Sequence, residues 1–457
     1  MTQTTNALRN IAVIDIGKSN VKLALADLQT LTEIEVLSQP NNVLPGPPWP
    51  HFDTEAHWQF ILDGLRQLHK QHGIDALAVT THGACAALLG ADGKLTAPIL
   101  DYEHTGLDAL ADEYTALRPD FVQTGSPRLA MGLNLGAQLH WQFAKQPELR
   151  NASKAIVTYP QYWVHRLTGQ LGCDVTTLGC HTDLWNPYKQ QYSALVDRLG
   201  LRGQMAPPLQ AGAKMAELLP HIAAATGLPP GTPVATGIHD SNASLLPHLL
   251  EQEPPFCVVS TGTWVVVMSV GGQEQPLDPA RDTLMLVNAL GARVPAARFM
   301  GGREYELLMG AAQIAPNAAD IAAVLRDEIM LHPAVEPTTG PFQGRTAQWS
   351  GAEPCGAIRA AAASFYLALV SAECLALTGA QGPVIVEGAF AKNRAYLEML
   401  ASACNRGVIA ATTATGTSIG AALLFAPKRG GTNNKPEAAI LPNAQMQTYA
   451  AKWRALL

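Results

Sequence analysis

Two stretches half a chain apart share one pattern, and this repeat constrains the fold more than any other feature of the sequence. In the first, an apolar run from Ile11 to Ile16 meets the polar turn GKSN and continues into the alternating VKLALA. In the second, Phe256 to Gly272, two apolar runs flank the small residues Ser260 to Thr263. Each pattern predicts a β-hairpin with a polar tip. The likeness indicates either two duplicated lobes or a chance similarity of two hairpins, and the residues alone leave both open.

Strand and helix patterns alternate in the rest of the chain. A helical pattern runs from His57 to His72, and a buried strand at Val384 to Val386 precedes an amphipathic helix. Such alternation predicts the α/β class. A proline- and glycine-dense segment before the second hairpin predicts a lobe boundary, with lobes at residues 1–246 and 247–457. Pro427 to Glu437 has the composition of a flexible loop.

Composition excludes several classes of protein. The 457 residues include 31 Lys and Arg against 37 Asp and Glu, a net charge of −6, so no basic field exists to hold nucleic acid or an anionic membrane. The seven cysteines are odd in number and lack C-x-x-C spacing, which argues against a disulfide framework or a zinc site. The polar N-terminal residues predict no secretory segment. Hydroxyl residues and glycines interrupt the uncharged stretch Gly407 to Pro427, which favours a strand and a helix over a membrane span. We therefore expect a cytoplasmic protein with small-molecule partners.

Two familiar phosphate-binding motifs are absent from the sequence. Reading GKS at Gly17 to Ser19 as a P-loop requires a glycine at position 12, which is Ala12. No G-x-G-x-x-G follows a strand, so a dinucleotide dehydrogenase lacks its usual motif. Hydroxyl and backbone N–H groups at the two hairpin tips could instead grip the phosphates of one nucleotide from both sides. Polar tips are also common in ordinary hairpins, so both interpretations stay open.

Five segments together resemble the FGGY carbohydrate kinases. They are IDIGKSNVKLAL, YWVHRLTGQLGCDVTT, TGIHDSNAS, VVSTGTW, and VEGAFAKNRAYLEMLA followed by TGTSIGAALL. Within that family, STGTW, HDSNAS and LNLGAQL are most similar to the rhamnulokinase branch, with the fuculokinases beside it. The resemblance implies an α/β fold of two actin-like, ribonuclease-H-like lobes. It also implies a cleft for ATP and sugar between them, with the C-terminal lobe binding ATP.

The resemblance implies a kinase that uses ATP and Mg²⁺ to phosphorylate a ketose, such as the 6-deoxyketoses L-rhamnulose and L-fuculose. Asp240 would be the general base that accepts the proton of the attacking hydroxyl, and it would also contact the sugar and Mg²⁺. Asp15, at the end of the first strand, would lie near Mg²⁺ and the phosphates. On local sequence alone, Asp240 or Ser241 could instead cap the following helix, and Asp15 could be an ordinary turn former.

The implied nucleotide-binding residues lie at the two hairpin tips and at one later turn. They are Gly17, Ser19, Asn20 and Lys22 in the first tip, Thr261, Gly262 and Thr263 in the second, and Gly388 and Asn393 in the later turn. The tips could equally be plain turns, and Lys22 could merely extend its stem along a strand. At the later turn the family usually has a run of glycines, whereas this chain has EGA. That departure leaves the nucleotide preference open.

The implied sugar contacts follow other strands. They are His82, Gly83, Asp101, Glu103 and Asp240. Where the family usually has an aromatic residue and then an aspartate, this chain has Asp101 and Glu103, and the longer acid would alter a hydroxyl contact. A single histidine after a strand is more often a structural hydrogen-bonding residue. We expect three tryptophans to be core aromatics rather than sugar platforms: Trp264, Trp163 and Trp141.

Two other functions fit parts of the same pattern. An actin-fold ATP-binding regulatory protein without sugar transfer would hydrolyse ATP slowly and independently of any ketose. A kinase for another ketose or polyol, such as xylulose, would share the machinery and recognise different hydroxyls. The expected partners are a small sugar and ATP, with no nucleic acid, no membrane, and a homodimer as one option for assembly.

Overall fold

The structure, a computed structural model, describes residues 8–212, 216–310, 314–411, 416–426 and 438–457. Its contacts divide the chain into two units. Unit 1 runs to Glu251 and also contains Leu286–Arg293 and the described part of Thr415–Gly431, and unit 2 contains the remainder. This division differs from the predicted single boundary because those two later segments pack on unit 1. The predicted loop Pro427 to Glu437 lies outside the described residues.

The strands of the described chain are β1 (Asn10–Ile16), β2 (Asn20–Asp27), β3 (Thr32–Pro40), β4 (Val43–Leu44), β5 (His51–Phe52), β6 (Ala76–Thr81), β7 (Ala86–Leu89), β8 (Ala155–Thr158), β9 (Cys173–Asp174), β10 (Trp185–Asn186), β11 (Gln191–Tyr192), β12 (Pro208–Leu209), β13 (Ala216–Glu217), β14 (Pro233–Val234), β15 (Ile238–His239), β16 (Phe256–Thr261), β17 (Val265–Val270), β18 (Thr283–Val287), β19 (Arg293–Phe299), β20 (Leu331–His332), β21 (Gln348–Trp349), β22 (Val384–Gly388) and β23 (Val408–Ala410).

The α-helices of the same residues are α1 (Thr54–His72), α2 (Ala111–Leu117), α3 (Phe121–Thr124), α4 (Leu135–Lys145), α5 (Leu149–Ala152), α6 (Tyr159–Thr168), α7 (Val175–Leu178), α8 (Ala194–Arg198), α9 (Pro220–Thr226), α10 (Asp240–Glu251), α11 (Gly301–Met309), α12 (Ala318–Arg326), α13 (Gly356–Leu377), α14 (Arg394–Cys404), α15 (Thr417–Ala422) and α16 (Ala444–Ala455). Strands and helices alternate in both units, which confirms the predicted α/β class.

Unit 1 is built on a sheet in the order β13-β14-β6-β1-β2-β3, with β15 also paired to β6. The hairpin β1–β2 is antiparallel, whereas β6 runs parallel to β1. Alternate residues of β1 enter different cores: Ile14 packs with Leu65 of α1, and Val13 packs with Ala421 of α15. Helices therefore cover both faces of the sheet, and β1 reads as a continuous apolar run because it is buried on both sides.

Burial on both faces also changes one sequence expectation. The alternation in VKLALA predicts one buried face, with Val21, Leu23 and Leu25 inward. Those three residues are fully buried, but the intervening Ala24 and Ala26 are fully buried as well. The small alanines fit beneath the helices on the second face. The pattern therefore located the strand and underestimated how deeply it is buried.

Helix α1 shows how local signals set an element. The Asp53 side chain accepts a hydrogen bond from the Ala56 N–H at 3.0 Å, and this cap starts the helix three residues before the predicted His57. Ile61, Leu65 and Leu68 recur at helical spacing and are fully buried.

Unit 2 repeats the hairpin arrangement in a sheet of order β18-β19-β17-β16-β22-β23. β16 and β17 form the antiparallel hairpin, and β22 runs parallel to β16. Helix α13 is long and apolar enough to cross a membrane, with a mean hydropathy of 1.7, but 83% of that apolar window is buried inside the fold. Its burial identifies it as a core helix.

The tryptophans only partly follow the prediction. Trp163 and Trp141 belong to the core of unit 1. Trp264 is half-buried, and the Arg298 guanidinium lies 4.8 Å from its ring centroid. Its place in the turn between β16 and β17 keeps one face of the ring outside the core.

Candidate active site

Three of the predicted residues meet at one edge of the unit 1 sheet. Asp15 lies near the end of β1, His82 directly follows β6, and Asp240 directly follows β15. The parallel register sets Ile16 beside Thr81, and Thr81 beside His239. The carboxyl ends of neighbouring parallel strands are where open α/β sheets bind ligands. The strand pairing thus brings together side chains that are up to 225 positions apart in the sequence.

Asp15 is a buried carboxylate with a perturbed pKa. It is 6% exposed, and burial raises its pKa from 3.8 to about 6. The Thr417 hydroxyl of α15 donates a hydrogen bond to its Oδ2, which partly opposes that rise, as does the charge of Lys22. Lys22 is exposed and sits opposite Asp15 in the hairpin register. The charge of Asp240 raises the pKa of Asp15 further, so the two acids interact.

Asp240 is the first residue of α10, and desolvation raises its pKa. The Ser241 N–H donates to Oδ1 at 2.6 Å, while 30% of the side chain stays accessible. His239 Nε2 lies 3.2 Å from the same oxygen. A Cβ at Gly83 would lie 2.8 Å from His239 Nε2, so Gly83 makes room for this histidine. The structure therefore gives Gly83 a packing role that the predicted sugar contact did not include.

The acidic residues at this edge suit Mg²⁺ better than a metal that needs a full protein cage. In the described part of the chain, no group of three or more His, Cys, Asp or Glu side chains is arranged to hold a metal. Mg²⁺ bound with phosphates usually takes only one or two protein carboxylates and completes its shell with substrate oxygens and water. Asp15 and Asp240 supply that donor set, so the residues present fit the ion.

His82 lies in an aromatic cage. Its ring centroid is 5.2 Å from Phe52, 5.2 Å from Tyr102 and 5.0 Å from Tyr159. Burial lowers its pKa to about 4, so the imidazole is neutral near pH 7. Nδ1 lies 2.8 Å from the Gly83 carbonyl, but Nε2 is buried without a hydrogen-bond partner among the described residues. A polar atom left in this state can bind a ligand hydroxyl.

Asp101 and Glu103 pair with a residue that the sequence did not single out. Lys18, in the β1–β2 turn, forms an ion pair with Asp101 and has its Nζ 3.1 Å from Glu103 Oε2. Asp101 is 7% exposed. The carboxylates predicted to accept sugar hydroxyls therefore already pair with a lysine, and Asp101 also accepts a hydrogen bond from it. The sequence signal for Lys18 was its cationic side chain in a turn of small polar residues, which the rejected P-loop reading left without a role.

The β1–β2 turn itself is closed by its backbone. The Gly17 N–H donates to the Asn20 carbonyl at 2.9 Å, and Asn41 bonds to the backbone of Gly17 and Ser19. Ser19 and Asn20 are exposed. A Cβ at Gly17 would be 3.5 Å from Asn20 O, an ordinary contact, so nothing in the fold itself demands glycine there. The free space at Gly17 can admit a ligand.

The β16–β17 turn of unit 2 borders a cavity. Gly262 and Thr263 line this space of about 560 Å³, together with residues of α11 and of the segment that follows β22. The Thr263 carbonyl accepts hydrogen bonds from Gly302 and Arg303 at 3.2 and 3.3 Å. A Cβ at Gly302 would lie 2.1 Å from Gly262 O, so only glycine lets α11 approach the turn this closely. Sequence analysis did not identify Gly302.

Three other predicted nucleotide residues form the frame of this turn. The Thr261 hydroxyl donates to Glu387 O at 2.5 Å and accepts from Phe390 N at 2.9 Å, which corrects its expected phosphate contact. Gly388 has φ of 83°, and a Cβ there would lie 2.0 Å from Thr261 O. Asn393 lines the cavity, and its side chain also caps α14. These bonds hold the cavity wall in shape.

The side chains that replace glycine in the EGA sequence take two different places in the same cavity wall. Ala389 lines the cavity, whereas Glu387 is only 8% exposed. The added methyl group therefore borders the space, and the added carboxylate is buried in the fold.

Two protein-family models match this chain, one in each half. The model of the FGGY family of carbohydrate kinases, N-terminal domain, matches residues 10–247, and the model of carbohydrate kinase FGGY, C-terminal domain, matches residues 253–434. The chain belongs to the FGGY family of carbohydrate kinases, as the sequence motifs predicted. The two-domain actin-like fold expected for that family is confirmed with it.

Three curated relatives are sugar kinases with the same degree of identity to this chain. The chain is 27% identical to an L-fuculokinase of Salmonella typhi over 58% of its length and 57% of that protein's. It is 27% identical to a rhamnulokinase of Pectobacterium atrosepticum over 56% of its length and 52% of that protein's. It is also 27% identical to a probable L-xylulose kinase of Pasteurella multocida, over 56% and 55%. The matches span only a little over half the length of these curated relatives.

Solved structures match over the whole chain. A carbohydrate kinase from Novosphingobium aromaticivorans is 34% identical, covers 99% of both chains and has a TM-score of 0.89. Plasmodium falciparum glycerol kinase with ADP has a TM-score of 0.80 at 13% identity and covers 98% of both chains, which shows the shared fold alone.

Proposed function

We propose that this protein is an ATP-dependent kinase that transfers the γ-phosphate of MgATP to a primary hydroxyl of a ketose. The observation that supports this most is the meeting of Asp15, His82 and Asp240 at the ends of neighbouring parallel strands. This set combines two interacting carboxylates with a neutral imidazole whose Nε2 has no hydrogen-bond partner among the described residues. It occurs in a member of a carbohydrate kinase family. Phosphoryl transfer to a hydroxyl needs a carboxylate near the nucleophile and acidic ligands near the phosphates.

Asp240 acts as general base in the proposed step. The sugar hydroxyl oxygen attacks the γ-phosphorus, a new O–P bond forms, and the bond from that phosphorus to the bridging oxygen of ADP breaks. The hydroxyl proton moves to the Asp240 carboxylate. Its desolvated position favours this transfer because a raised pKa makes the carboxylate a better proton acceptor near neutral pH.

The other unit 1 residues bind and orient the sugar and the phosphates. His82 Nε2 accepts a hydrogen bond from a sugar hydroxyl, because the neutral ring donates through Nδ1 to the Gly83 carbonyl, and the surrounding aromatic rings keep water from competing. Asp15 and Asp240 would hold Mg²⁺, which when bound neutralises charge on the phosphates. Gly17, Ser19 and Asn20 present the turn backbone toward phosphate oxygens, and Lys22 adds a positive charge nearby.

The cavity of unit 2 is the proposed nucleotide site. Its volume of about 560 Å³ falls in the range of small-molecule pockets, roughly 300 to 1,000 Å³. Gly262 and Thr263 are exposed beside it, and Gly388 holds the wall behind it. Lys392 and Arg394 line the same cavity, so both turn backbone and basic side chains are available to the phosphate chain.

The proposed acceptor is a 6-deoxyketose such as L-rhamnulose or L-fuculose. The printed functions of two relatives, L-fuculokinase and rhamnulokinase, support this choice. The L-xylulose kinase relative makes another ketose the second candidate. We place the enzyme in the cytoplasm, where free sugar and MgATP are its partners.

An ADP-release screen tests the proposal. Purified protein is incubated with MgATP and a panel of ketoses, polyols and sugar acids, and sugar phosphate is identified in the active wells. We expect one or a few ketoses to raise ADP release at least a hundredfold above the sugar-free rate, with one sugar phosphate formed per ADP. Slow hydrolysis that no compound stimulates would favour the regulatory alternative and refute the kinase.

A further inference from the structure

The side chain of Lys18 extends from the β1–β2 turn to Asp101 and Glu103, two of the predicted sugar contacts of unit 1. Its Nζ pairs with Asp101 and Glu103, and it lies 4.8 Å from the Tyr102 ring centroid and 5.3 Å from that of Phe52. Two carboxylates and two aromatic faces thus surround one ammonium, which is 24% exposed. The two carboxylates offset much of the attraction that this ammonium would have for a further anion.

The segment that carries the two acids is fixed from behind. The Asp101 N–H donates to Pro50 O at 2.9 Å, and the Gly132 N–H donates to Tyr102 O at 2.8 Å. A Cβ at Gly132 would lie 2.9 Å from the Tyr102 Cα, so this backbone contact depends on glycine. The ion pairs of Lys18 are therefore made to a segment that is held in place.

An unpartnered polar atom lies in the same cluster. His82 packs on Tyr102 and Phe52, the two rings that Lys18 covers, and it is 6% exposed. Its Nε2 has no hydrogen-bond partner among the described residues. Thr81 pairs with His239 in the parallel register, so His82 and Asp240 follow at neighbouring strand ends. Lys18 and His82 contact the same two rings beside them.

The charged side chains at these strand ends sum to a negative value. Lys18 contributes one positive charge, and Asp101, Glu103 and Asp240 contribute three carboxylates. An ammonium has three N–H donors, and Lys18 donates one to Asp101 while Glu103 contributes an ion pair, so a donor is left for a ligand hydroxyl. A ligand carboxylate would meet several like charges and no unneutralised cation, which is unfavourable in a partly desolvated site.

We propose that Lys18, held by Asp101 and Glu103, is a specificity-determining residue that makes the site accept neutral ketoses and reject sugar acids. The inference rests on the proposed function for the identity of the ligand class. It explains why two carboxylates predicted to bind sugar are tied to a lysine. The paired ammonium offers one hydrogen-bond donor to a hydroxyl, and its partners cancel the attraction for an anion.

The test compares a neutral ketose with the ketouronate that carries a carboxylate at C6. Dissociation constants are measured by calorimetry without ATP, so that the result does not depend on turnover. For the wild type we expect the ketouronate to bind at least thirtyfold more weakly than the ketose. In Glu103→Gln, Lys18 is paired with Asp101 alone and the site loses one negative charge, so we expect this ratio to fall about tenfold. Equal binding of both ligands by the wild type would overturn the inference.

Three further variants separate charge selection from a structural effect. Lys18→Arg keeps the cation and should keep the preference for the neutral ketose. The double variant Lys18→Met/Glu103→Gln should lose the gain in ketouronate binding that Glu103→Gln alone confers. Glu113→Gln removes an exposed charge on α2 and should leave the ratio as in the wild type. A gain that persists without the Lys18 ammonium would contradict its role.

Parallel ADP-release assays keep this inference distinct from the proposed function. If the ketose binds with the predicted selectivity but never stimulates ADP release, the kinase proposal fails and the charge selection stands. If the ketose is phosphorylated and the Glu103→Gln ratio does not change, the kinase stands and the role of Lys18 fails.

Discussion

The two hairpin turns are both closed by the N–H of a glycine, but they differ in length and in chemistry. Ile16 pairs with Val21 and Thr261 pairs with Val265, so the unit 1 turn is one residue longer than the unit 2 turn. The Gly17 N–H donates to Asn20 O and the Gly262 N–H donates to Trp264 O, both at 2.9 Å. The unit 1 turn carries Lys18, which forms ion pairs with two acids, whereas the unit 2 turn has Thr263, whose carbonyl accepts hydrogen bonds from N–H groups of α11. The first turn therefore adds a side-chain charge to its backbone, and the second is held by backbone contacts.

The buried acids of the two units show the same contrast. Asp15 in unit 1 and Glu304 in unit 2 are both almost fully buried, and burial raises the pKa of each, to about 6 and about 7. Asp15 interacts with a second acid, Asp240. Glu304 accepts the Glu336 N–H at 3.0 Å, within the fold of unit 2. The charge of Glu336 also raises the pKa of Glu304, so both acids have a carboxylate neighbour. What distinguishes Asp15 is its place near the end of β1, at the sheet edge that also carries Asp240.

The largest effect is expected from removing the proposed base. Asp240→Asn should lower ketose-dependent ADP release about 10³-fold, since general bases contribute roughly 10² to 10⁴. The dissociation constants of ketose and ADP should change little because the amide keeps the size of the side chain. Steady-state rates combined with calorimetry separate the two quantities. Turnover near the wild-type value would refute the assignment of Asp240.

Asp15→Asn should lower turnover about 10²-fold and, at the same time, stabilise the apoprotein. The pKa of Asp15 rises from 3.8 to about 6 on folding, so its stabilising contribution is complete below pH 3.8 and is lost as the pH rises through about 6. At pH 8 the charged form costs roughly 3 kcal/mol, which asparagine avoids. Urea unfolding at pH 8 measures the gain. A variant that is both inactive and less stable would show that Asp15 is structural.

Gly302→Ala should weaken nucleotide binding about tenfold. The new Cβ would lie 2.1 Å from the backbone oxygen of Gly262, so the unit 2 turn must shift beside the cavity. Calorimetry with ADP measures the loss. Gly351→Ala is the matched control, because a Cβ there meets nothing within 4 Å. Equal ADP affinity in the two variants would separate the turn from nucleotide binding.

The smallest effect on turnover is expected from Glu304→Gln. Its pKa rises from 4.5 to about 7, so wild-type stability should fall as the pH rises through about 7, and the glutamine variant should remove that fall. The difference at pH 8.5 should approach 3 kcal/mol, while turnover at pH 7 should stay within twofold of the wild type. Melting temperatures from pH 6 to 8.5 provide the check. A large loss of turnover would assign Glu304 to the reaction and end the contrast with Asp15.

Residues that follow buried strands could be predicted from the sequence. Asp15 and His82 each lie at the end of a largely apolar strand, and parallel strands bring such ends together. Asp240 follows only a two-residue strand and was predicted from the family resemblance of GIHDSNAS. The hairpins were predictable for the same reason, since apolar runs around a small polar turn have few other folds.

Contacts between distant segments could not be predicted in this way. Thr417 reaches Asp15 across 402 positions, and Lys18 reaches Asp101 across 83. No periodicity in the sequence records such pairs. The side chains of Thr261 and Asn393 illustrate a second limit, because the same hydroxyl or amide can bind a ligand or satisfy nearby backbone. Only the folded geometry shows that both are used by the backbone.

Hydrogen exchange with each ligand alone tests the division between the two turns most directly. We expect the ketose to slow amide exchange at residues 16–20, 82–84 and 101–104. We expect ADP to slow it at residues 262–264, 302–306 and 389–395. Exchange around Gly262 and Gly302 that ADP leaves unchanged, or exchange around His82 and Asp101 that the ketose leaves unchanged, would contradict the account.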